Sequence, residues 1–486
     1  MSSDERSKIP NLMNIGSITS DMNMDYDTMV LDPVVNTQTF CRFVLDNRGF
    51  LNSFSRIQLA MEKTSANACG TVNDAIGQTS SFPAGIGVYS LIDRVALRIG
   101  TETVSEITDF QHWMAYKSMF IDNDINLERE TYLTSRIMSH QLIYKGDDSG
   151  KQSNVNASGY GLGTKNEYLL NDDGVDGTLA IQEELQNKNH SEFSVSMADL
   201  VPWLRFNQLP LYMFGSTQIA LEIHFTPLLS LNRQIGANVG GPLSERQAWT
   251  IDTTKTQFIA DYIFYDNDLM ARFASENADM NWTYTDYRLA KRSFTHTALA
   301  SQQIVPIGGA GRLVNKVIGG LEFEFDQPDL SMLNTFQATC PGISGINNQV
   351  FTTNLVYNNN RLYPVDRTSP SVHFHDLVAT EQNVPQITRQ EYDRGGSLVA
   401  GSGVAGLIGG FDYNSATQSS AGGQGLEGTM FWQGYRLNRN ERVDSKGIEM
   451  QIQYGGLDAG QYISRHYLEL VRTANLRNGM FSTALA

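Results

Sequence analysis

Alternation of apolar and polar residues with a period of two runs through much of the chain, the mark of strands buried on one face. Residues 40–45 (FCRFVL) and 55–61 (SRIQLAM) show it on either side of the turn Asp46-Asn47-Arg48-Gly49. Residues 87–107, GVYSLIDRVALRIGTETVSEI, predict a hairpin: a strand to Ile99, a loop at Gly100-Thr101-Glu102, and a return strand from Thr103 to Ile107. On the outgoing strand Leu91, Asp93, Val95, Leu97 and Ile99 share one face, and Ile92, Arg94, Ala96 and Arg98 share the other. With Thr101 at the turn centre, Arg98 is expected opposite Val104 and Ala96 opposite Glu106, so Glu106 falls diagonally between the two arginines. Such a face suits contact with a neighbouring sandwich or subunit, because arginine packs its stem and pairs its planar head with carboxylates. A partly exposed ion-pair face of little energetic value is the alternative. Arg94, Arg98 and Glu106 are therefore the candidate interface residues.

Helical pattern is sparse. Thr108 is expected as an N-cap, with Gln111 completing a capping box and Phe110 and Met114 forming an apolar stripe that ends near Lys117 and Ser118. A second helix is expected within 267–279, which is rich in Met, Ala and Glu. Glycine- and asparagine-rich stretches at 146–163, 171–177, 341–349 and 395–428 read as long surface loops. Residues 1–28 are polar and acidic, without periodicity, and read as a flexible arm. Its spaced apolar residues, such as Ile9, Leu12, Ile15, Ile18 and Met22, leave two options open: docking on a neighbour, or a plain disordered tail.

An internal similarity organises these pieces. Residues 216–228 (STQIALEIHFTPL) resemble residues 445–457 (SKGIEMQIQYGGL), 229 positions later and close to half the chain. Ile219, Leu221, Ile223 and Phe225 match Ile448, Met450, Ile452 and Tyr454 at every second position. Each segment is followed by another aromatic strand, at 261–265 and at 467–471. A tandem β-domain explains this order.

Composition narrows the partners. The chain has 486 residues, 36 Lys+Arg against 52 Asp+Glu and a net charge of −16, which disfavours phosphate-rich nucleic acid and anionic membranes as main partners. Short basic runs at 288–292 and 436–442 are mixed with acids and read as ordinary surface or subunit contacts. With 41% hydrophobic and 18% charged residues the chain can bury a sizeable core. Cys41, Cys69 and Cys340 are far apart and lack zinc spacing, so free thiols in a reducing compartment are expected. The polar N-terminal stretch predicts no signal peptide, and no apolar run approaches the roughly 20 residues of a membrane helix.

Searches for site chemistry return little. Gly401-Ser402-Gly403-Val404-Ala405-Gly406 matches a dinucleotide fingerprint, but it runs into Leu407-Ile408-Gly409-Gly410, poor material for the helix that must follow. Asp122-Asn123-Asp124 begins like a calcium loop, yet Leu127 stands where the loop needs glycine. Residues 171–177 (NDDGVDG) read as a turn before a cation site. His373 and His375 would alternate on one strand face, short of a full ligand set. No nucleophile elbow and no marked carboxylate pair are present, so no catalytic residue, metal or cofactor is assigned.

Several stretches, covering most of residues 30–482, resemble a known family. GFLNSFSRIQLAM (49–61) and GVYSLIDRVALRIGTETVSEITDFQHWMAYKSMF (87–120) are similar to the major capsid proteins of polinton-like viruses and virophage-like elements. LPLYMFGSTQIALEIHF (209–225) and DYIFYDNDLMARFASENADMNWTY (261–284) resemble capsid proteins of large eukaryotic DNA viruses, with Arg272-Phe273-Ala274 opening the link between two halves. GYRLNRNERVDSKGIEMQIQY and YLELVRTANLRNGMFS fit the end of the second half, and 300–430 is the stretch least like the family. The resemblance implies an all-β chain of two tandem eight-stranded jelly rolls with short helices and long loops. The expected division is an arm at 1–28, a first jelly roll at 29–268, a helical linker at 269–284 and a second jelly roll at 285–486. It also implies a non-enzymatic homotrimer, six-sided in outline, that tiles an icosahedral virion shell around double-stranded DNA. Its partners would be neighbouring capsomers and minor capsid and penton proteins. A β-sandwich that binds or cleaves glycans at a viral surface is the rival reading, and it would need a cleft with paired carboxylates.

Overall fold

The computed structural model describes residues 24–63, 87–118, 120, 190–205, 208–226, 249–296, 302–324, 338–339, 351–367, 370–381, 430–437, 441–454, 460–477 and 479–485. The four long loops, the 401–406 and 122–127 motifs, Cys69, Cys340 and residues 1–23 lie outside the described residues.

Eight strands form the frame of the first half, beside shorter ones at Val35–Asn36, Phe50–Leu51, Leu209–Pro210 and Trp249–Ile251: β1 (Met24–Leu31), β2 (Phe40–Leu45), β3 (Arg56–Lys63), β4 (Ile92–Ile99), β5 (Glu102–Thr108), β6 (His190–Ser196), β7 (Ile219–Phe225) and β8 (Gln257–Tyr265). They pair in the orders β1-β8-β3-β6 and β2-β7-β4-β5, giving two antiparallel sheets, here sheets 1 and 2. The second half uses β9 (Asp279–His296), β10 (Gln302–Gly308), β11 (Val314–Glu324), β12 (Phe351–Tyr357), β13 (Asn360–Arg361), β14 (Met430–Arg436), β15 (Ile448–Tyr454) and β16 (Gly460–Arg477). These pair as β9-β16-β11-β14 and β10-β15-β12-β13, sheets 3 and 4. Subtracting eight from each label reproduces the first half, so the fold is a double jelly roll. The two similar segments seen in the sequence, β7 and β15, hold the seventh place in their halves. A last strand, β17 (Met480–Leu485), pairs with the end of β16.

Alternation decides which residues go inside. Cys41, Phe43 and Leu45 of β2 face Ile219, Leu221 and Ile223 of β7 along the ladder, and all six are buried. Burial pushes the Cys41 thiol up to about 12, so it stays protonated and behaves as a small apolar side chain. In the second half Val305, Leu355, Ile448, Met450, Ile452, Leu468 and Leu470 form the equivalent core. Gly319 of β11 lies opposite His466 of β16. A Cβ there would stand 2.1 Å from the His466 ring and 2.6 Å from the Arg465 carbonyl oxygen. The imidazole, buried at that spot with Nδ1 2.8 Å from Ser464 Oγ, is held neutral with its pKa down at about 3 by desolvation.

Among the described residues three longer α-helices, besides the single turn Met197–Leu200, connect the strands: α1 (Phe110–Ser118), α2 (Asn267–Glu276) and α3 (Pro370–Glu381). Several expectations need correction. Residues 24–28, read as flexible arm, are strand; Met24 to Leu31 ladder with Tyr265 to Phe258 without a break. The link between halves is helical only to Glu276, and β9 starts at Asp279. Thr108 is the end of β5 and not the helix cap, because Asp109, at φ 49°, makes the corner. His373 and His375 belong to α3, where a two-residue spacing separates them: His373 is buried, while the His375 side chain is 80% exposed. The hairpin register holds at Ala96 opposite Glu106 but slips beyond it: Leu97 faces Ser105 and Arg98 faces Thr103. Val104 is the extra residue of a β-bulge.

Replacing Gly319 by alanine should lower stability by about 1–3 kcal/mol, since the clash involves backbone as well as ring. Denaturant unfolding of the full chain measures it, and Gly215→Ala serves as the comparison, because its positive φ brings strain but nothing stands within 4 Å.

Candidate functional site

The two sandwiches meet along a seam. The outer face of sheet 3 presents Tyr287, Lys316, Ile318, Trp432, Tyr467 and Glu469, and α1 of the first half lies against it. Trp113 packs edge-on to Tyr287 at 5.3 Å and Tyr116 lies 5.2 Å from Trp432.

Charges are buried inside this contact. Lys117 Nζ of α1 donates to Glu381 Oε2 of α3 at 3.0 Å, and Lys316 Nζ of β11 donates to Glu381 Oε1 at 2.8 Å. Lys316 also sits 3.1 Å from Glu469 Oε2, which accepts from the Tyr287 hydroxyl at 2.7 Å; Asn315 donates to the other Glu469 oxygen at 3.1 Å. Burial alone would raise both carboxyls, but the two ammonium groups outweigh it, holding Glu381 at about 2 and Glu469 below its ordinary value. Lys316 faces two carboxylates, which overcome its desolvation and raise its pKa; Lys117 faces one, and desolvation lowers it. The Lys117 ammonium also lies 5.5 Å from the Tyr287 ring centre and 5.9 Å from that of Trp113.

Two more polar joints flank the cluster. Arg472 Nη1 of β16 donates to the carbonyls of Thr103 and Val104 at 3.2 and 3.1 Å and to Asp286 Oδ2 at 2.9 Å. Tyr284 OH donates to the same Val104 carbonyl at 2.7 Å. The bulge thus turns carbonyls of the first sandwich toward donors of the second. Asp286 is buried, which raises its carboxyl despite the arginine beside it. Asp109 Oδ2 accepts from Arg465 Nε at 3.0 Å and pairs with Lys291 at 3.2 Å, and Tyr467 OH donates to the Asp109 carbonyl at 2.8 Å. β17 closes this end: Phe481 packs on Phe214 and Trp282, and Thr483 donates to Glu102 at 3.1 Å. A cavity of about 260 Å³ opens at the seam, lined in part by Trp113, Lys117, Asp199, Arg205, Tyr287 and Glu381. Both of its carboxylates are engaged, Glu381 by the lysines and Asp199 by the Tyr89 hydroxyl at 2.6 Å.

The arginine face lies on the outside of sheet 2. Arg94 pairs with Glu106 at 2.6 Å. Arg98 does not; it turns to Glu222 of β7 at 3.0 Å, which Arg42 of β2 approaches at 3.7 Å. Ala96 and Ala220 are buried among them, next to arginine stems in the ladder. Glu222 was missed in the sequence; the only hint was a lone carboxylate among buried residues of a central strand. Among the described residues no group of three or more His, Cys, Asp or Glu is placed to hold a metal ion, and no helix is long and apolar enough to cross a membrane.

Comparison with solved structures places this geometry. The chain is similar to the PBCV-1 virus capsid protein (TM-score 0.53, 12% identity, covering 96% of this chain and 98% of that one). It is similar to PBCV-1 VP54 as fitted into a reconstruction of the virophage Sputnik (0.52, 13%, 96% and 98%) and to a chain of the Sputnik virophage (0.52, 10%, 96% and 90%). At these identities the likeness is one of fold, and it is the double jelly roll that the sequence resemblance implied. No family model matches the sequence, and no curated protein matches it.

Arg472→Leu should destabilise the chain by about 3–5 kcal/mol, because Asp286 is left as an uncompensated buried charge; Arg472→Leu with Asp286→Asn should recover part of the loss in the same thermal melts. The Glu381 carboxyl titrates at about 2 when folded against an ordinary 4.5, so its stabilisation is complete above pH 4.5 and is lost as pH falls through 2. Glu381→Gln should flatten that part of the acid-unfolding curve.

Proposed function

We propose that this chain is a major capsid protein, a homotrimeric capsomer of six-sided outline that tiles an icosahedral virion shell around a double-stranded DNA genome. The observation that carries the reading is two complete jelly rolls in tandem, joined by a buried seam, over a length that matches a chain described as a virus capsid. A trimer of such chains presents six similar sandwiches, which is how a three-fold object fills a six-fold position in a shell. The role is structural and not enzymatic: in the described residues the ionic groups at the seam are spent on joining the halves. Neighbouring capsomers, minor capsid proteins and penton proteins are the partners this role requires. The face of Arg94, Arg98 and Glu106, with Glu222 and Arg42, is a contact surface in this reading. Its arginine side chains are 30% and 39% exposed, enough to reach a partner while already paired at home.

Sedimentation and negative-stain imaging of the purified chain test the proposal. Six-sided particles with the mass of three chains are expected, and a monodisperse single chain at assembly concentrations overturns it. Arg94→Glu with Arg98→Glu, which sets like charges beside Glu106 and Glu222, should weaken folding or assembly; wild-type melting and sedimentation would remove this face from the contact surface.

A further inference from the structure

One face of α1 carries Trp113, Met114 and Lys117, because residues three and four apart stack along a helix. Phe120, whose N–H bonds the Lys117 carbonyl at 3.0 Å, continues the row. This row forms one wall of the seam cavity of about 260 Å³. The turns Met197–Leu200 and Pro202–Leu204 supply a second wall through Ala198, Asp199 and Pro202, and the second half supplies Thr285, Tyr287 and Glu381. Both sandwiches build the cavity, so it exists in this form only while they are docked.

The cavity has a cation short of acceptors. An ammonium carries three N–H donors. Lys117 gives one to Glu381 Oε2, on a carboxylate that Lys316 shares, and Lys316 has Glu469 besides. The other neighbours of the Lys117 ammonium are the rings of Trp113, Tyr116 and Tyr287, with centres at 5.5 to 5.9 Å. Lys117 is also the least buried member of the ion cluster, its side chain 20% exposed against 12% for Lys316 and 9% for Glu381. Desolvation accordingly lowers the pKa of Lys117, while two carboxylates raise that of Lys316. The rest of the wall is mostly apolar. Trp113 and Tyr287 meet edge to face at 5.3 Å, and Met114, Phe120, Ala198 and Pro202 surround them. Such walls receive planar rings, and an apolar pocket with one charged anchor is the usual form of a small-molecule site. The volume, against roughly 30 Å³ for a water, has room for a molecule of one or two rings.

We propose that the seam cavity is a binding site for a small aromatic carboxylate, whose carboxylate accepts from the Lys117 ammonium and whose rings lie against Trp113, Met114 and Phe120. Because its walls come from both halves, the ligand binds the docked sandwiches and strengthens their joint by mass action. The site lies within one chain and is independent of the oligomeric state.

The test uses the full chain with 2-naphthoate as the probe. Its neutral amide, 2-naphthamide, keeps the rings without the charge, and inorganic phosphate keeps the charge without the rings. Calorimetric titration should find one naphthoate site per chain, with a melting temperature that rises as probe is added, and binding weaker by roughly tenfold or more for both controls. Ala198→Phe fills the cavity from the turn and leaves the ion cluster intact; it should keep the wild-type circular dichroism spectrum and lose the site. If that variant misfolds, photolabelling of the wild-type chain with 4-azidobenzoate, competed by 2-naphthoate, reads the site directly. Label is expected within residues 113–120, 198–205 or 285–287. No heat and no melting shift, the result for a cavity that holds water only, overturns the proposal. So does naphthamide binding as tightly as naphthoate, naphthoate binding retained by folded Ala198→Phe, or label mapping elsewhere.

Discussion

Four charged groups taken out of water together hold the arrangement in place. Lys117, Lys316, Glu381 and Glu469 come from α1, β11, α3 and β16, two sandwiches and four elements. Each alone would be costly to bury, and each is tolerable only where the others already stand. That condition fixes position more sharply than apolar contact does, because an aromatic ring slides at small cost whereas an ammonium deprived of its carboxylate does not. The aromatic contacts of Trp113, Tyr116 and Trp432 supply area, and the ion cluster supplies the register in which that area is used.

The bulge at Val104 ties this joint to the arginine face. The extra residue slips the β4–β5 register by one position, so the Thr103 and Val104 carbonyls meet Arg472 and Tyr284. The same slip takes Arg98 away from Glu106 and toward Glu222. One inserted residue therefore serves the seam on one side and rearranges the ion pairs on the other.

The fold was legible because its information is periodic. Alternation at 219–225 and at 448–454 marks the same strand twice, and the aromatic strand after each copy marks the duplication. The information that escaped is held in partners far along the chain. Nothing near Arg98 says that Glu222 will take it, or that a bulge intervenes. The β1 strand was hidden because its alternating apolar residues are interleaved with Asp25 and Asp27, and only the ladder with β8 makes it a strand. His373 and His375 misled because a period of two is also present by chance inside α3, whose real pattern is set by Leu377 and Thr380 packing over Gly434 and the seam.

The pairing order has a kinetic side. β1 and β3 are joined only through β8, which pairs residues 24–31 with residues 258–265. Likewise β9 and β11 are joined through β16, the eighth strand of its half. Neither sandwich can close its first sheet until its last strand has been made. A chain emerging from the ribosome thus holds its earliest strand unpaired for most of the synthesis of each half, and contacts so distant in sequence form slowly. Each half can complete its first sheet only once its eighth strand is available.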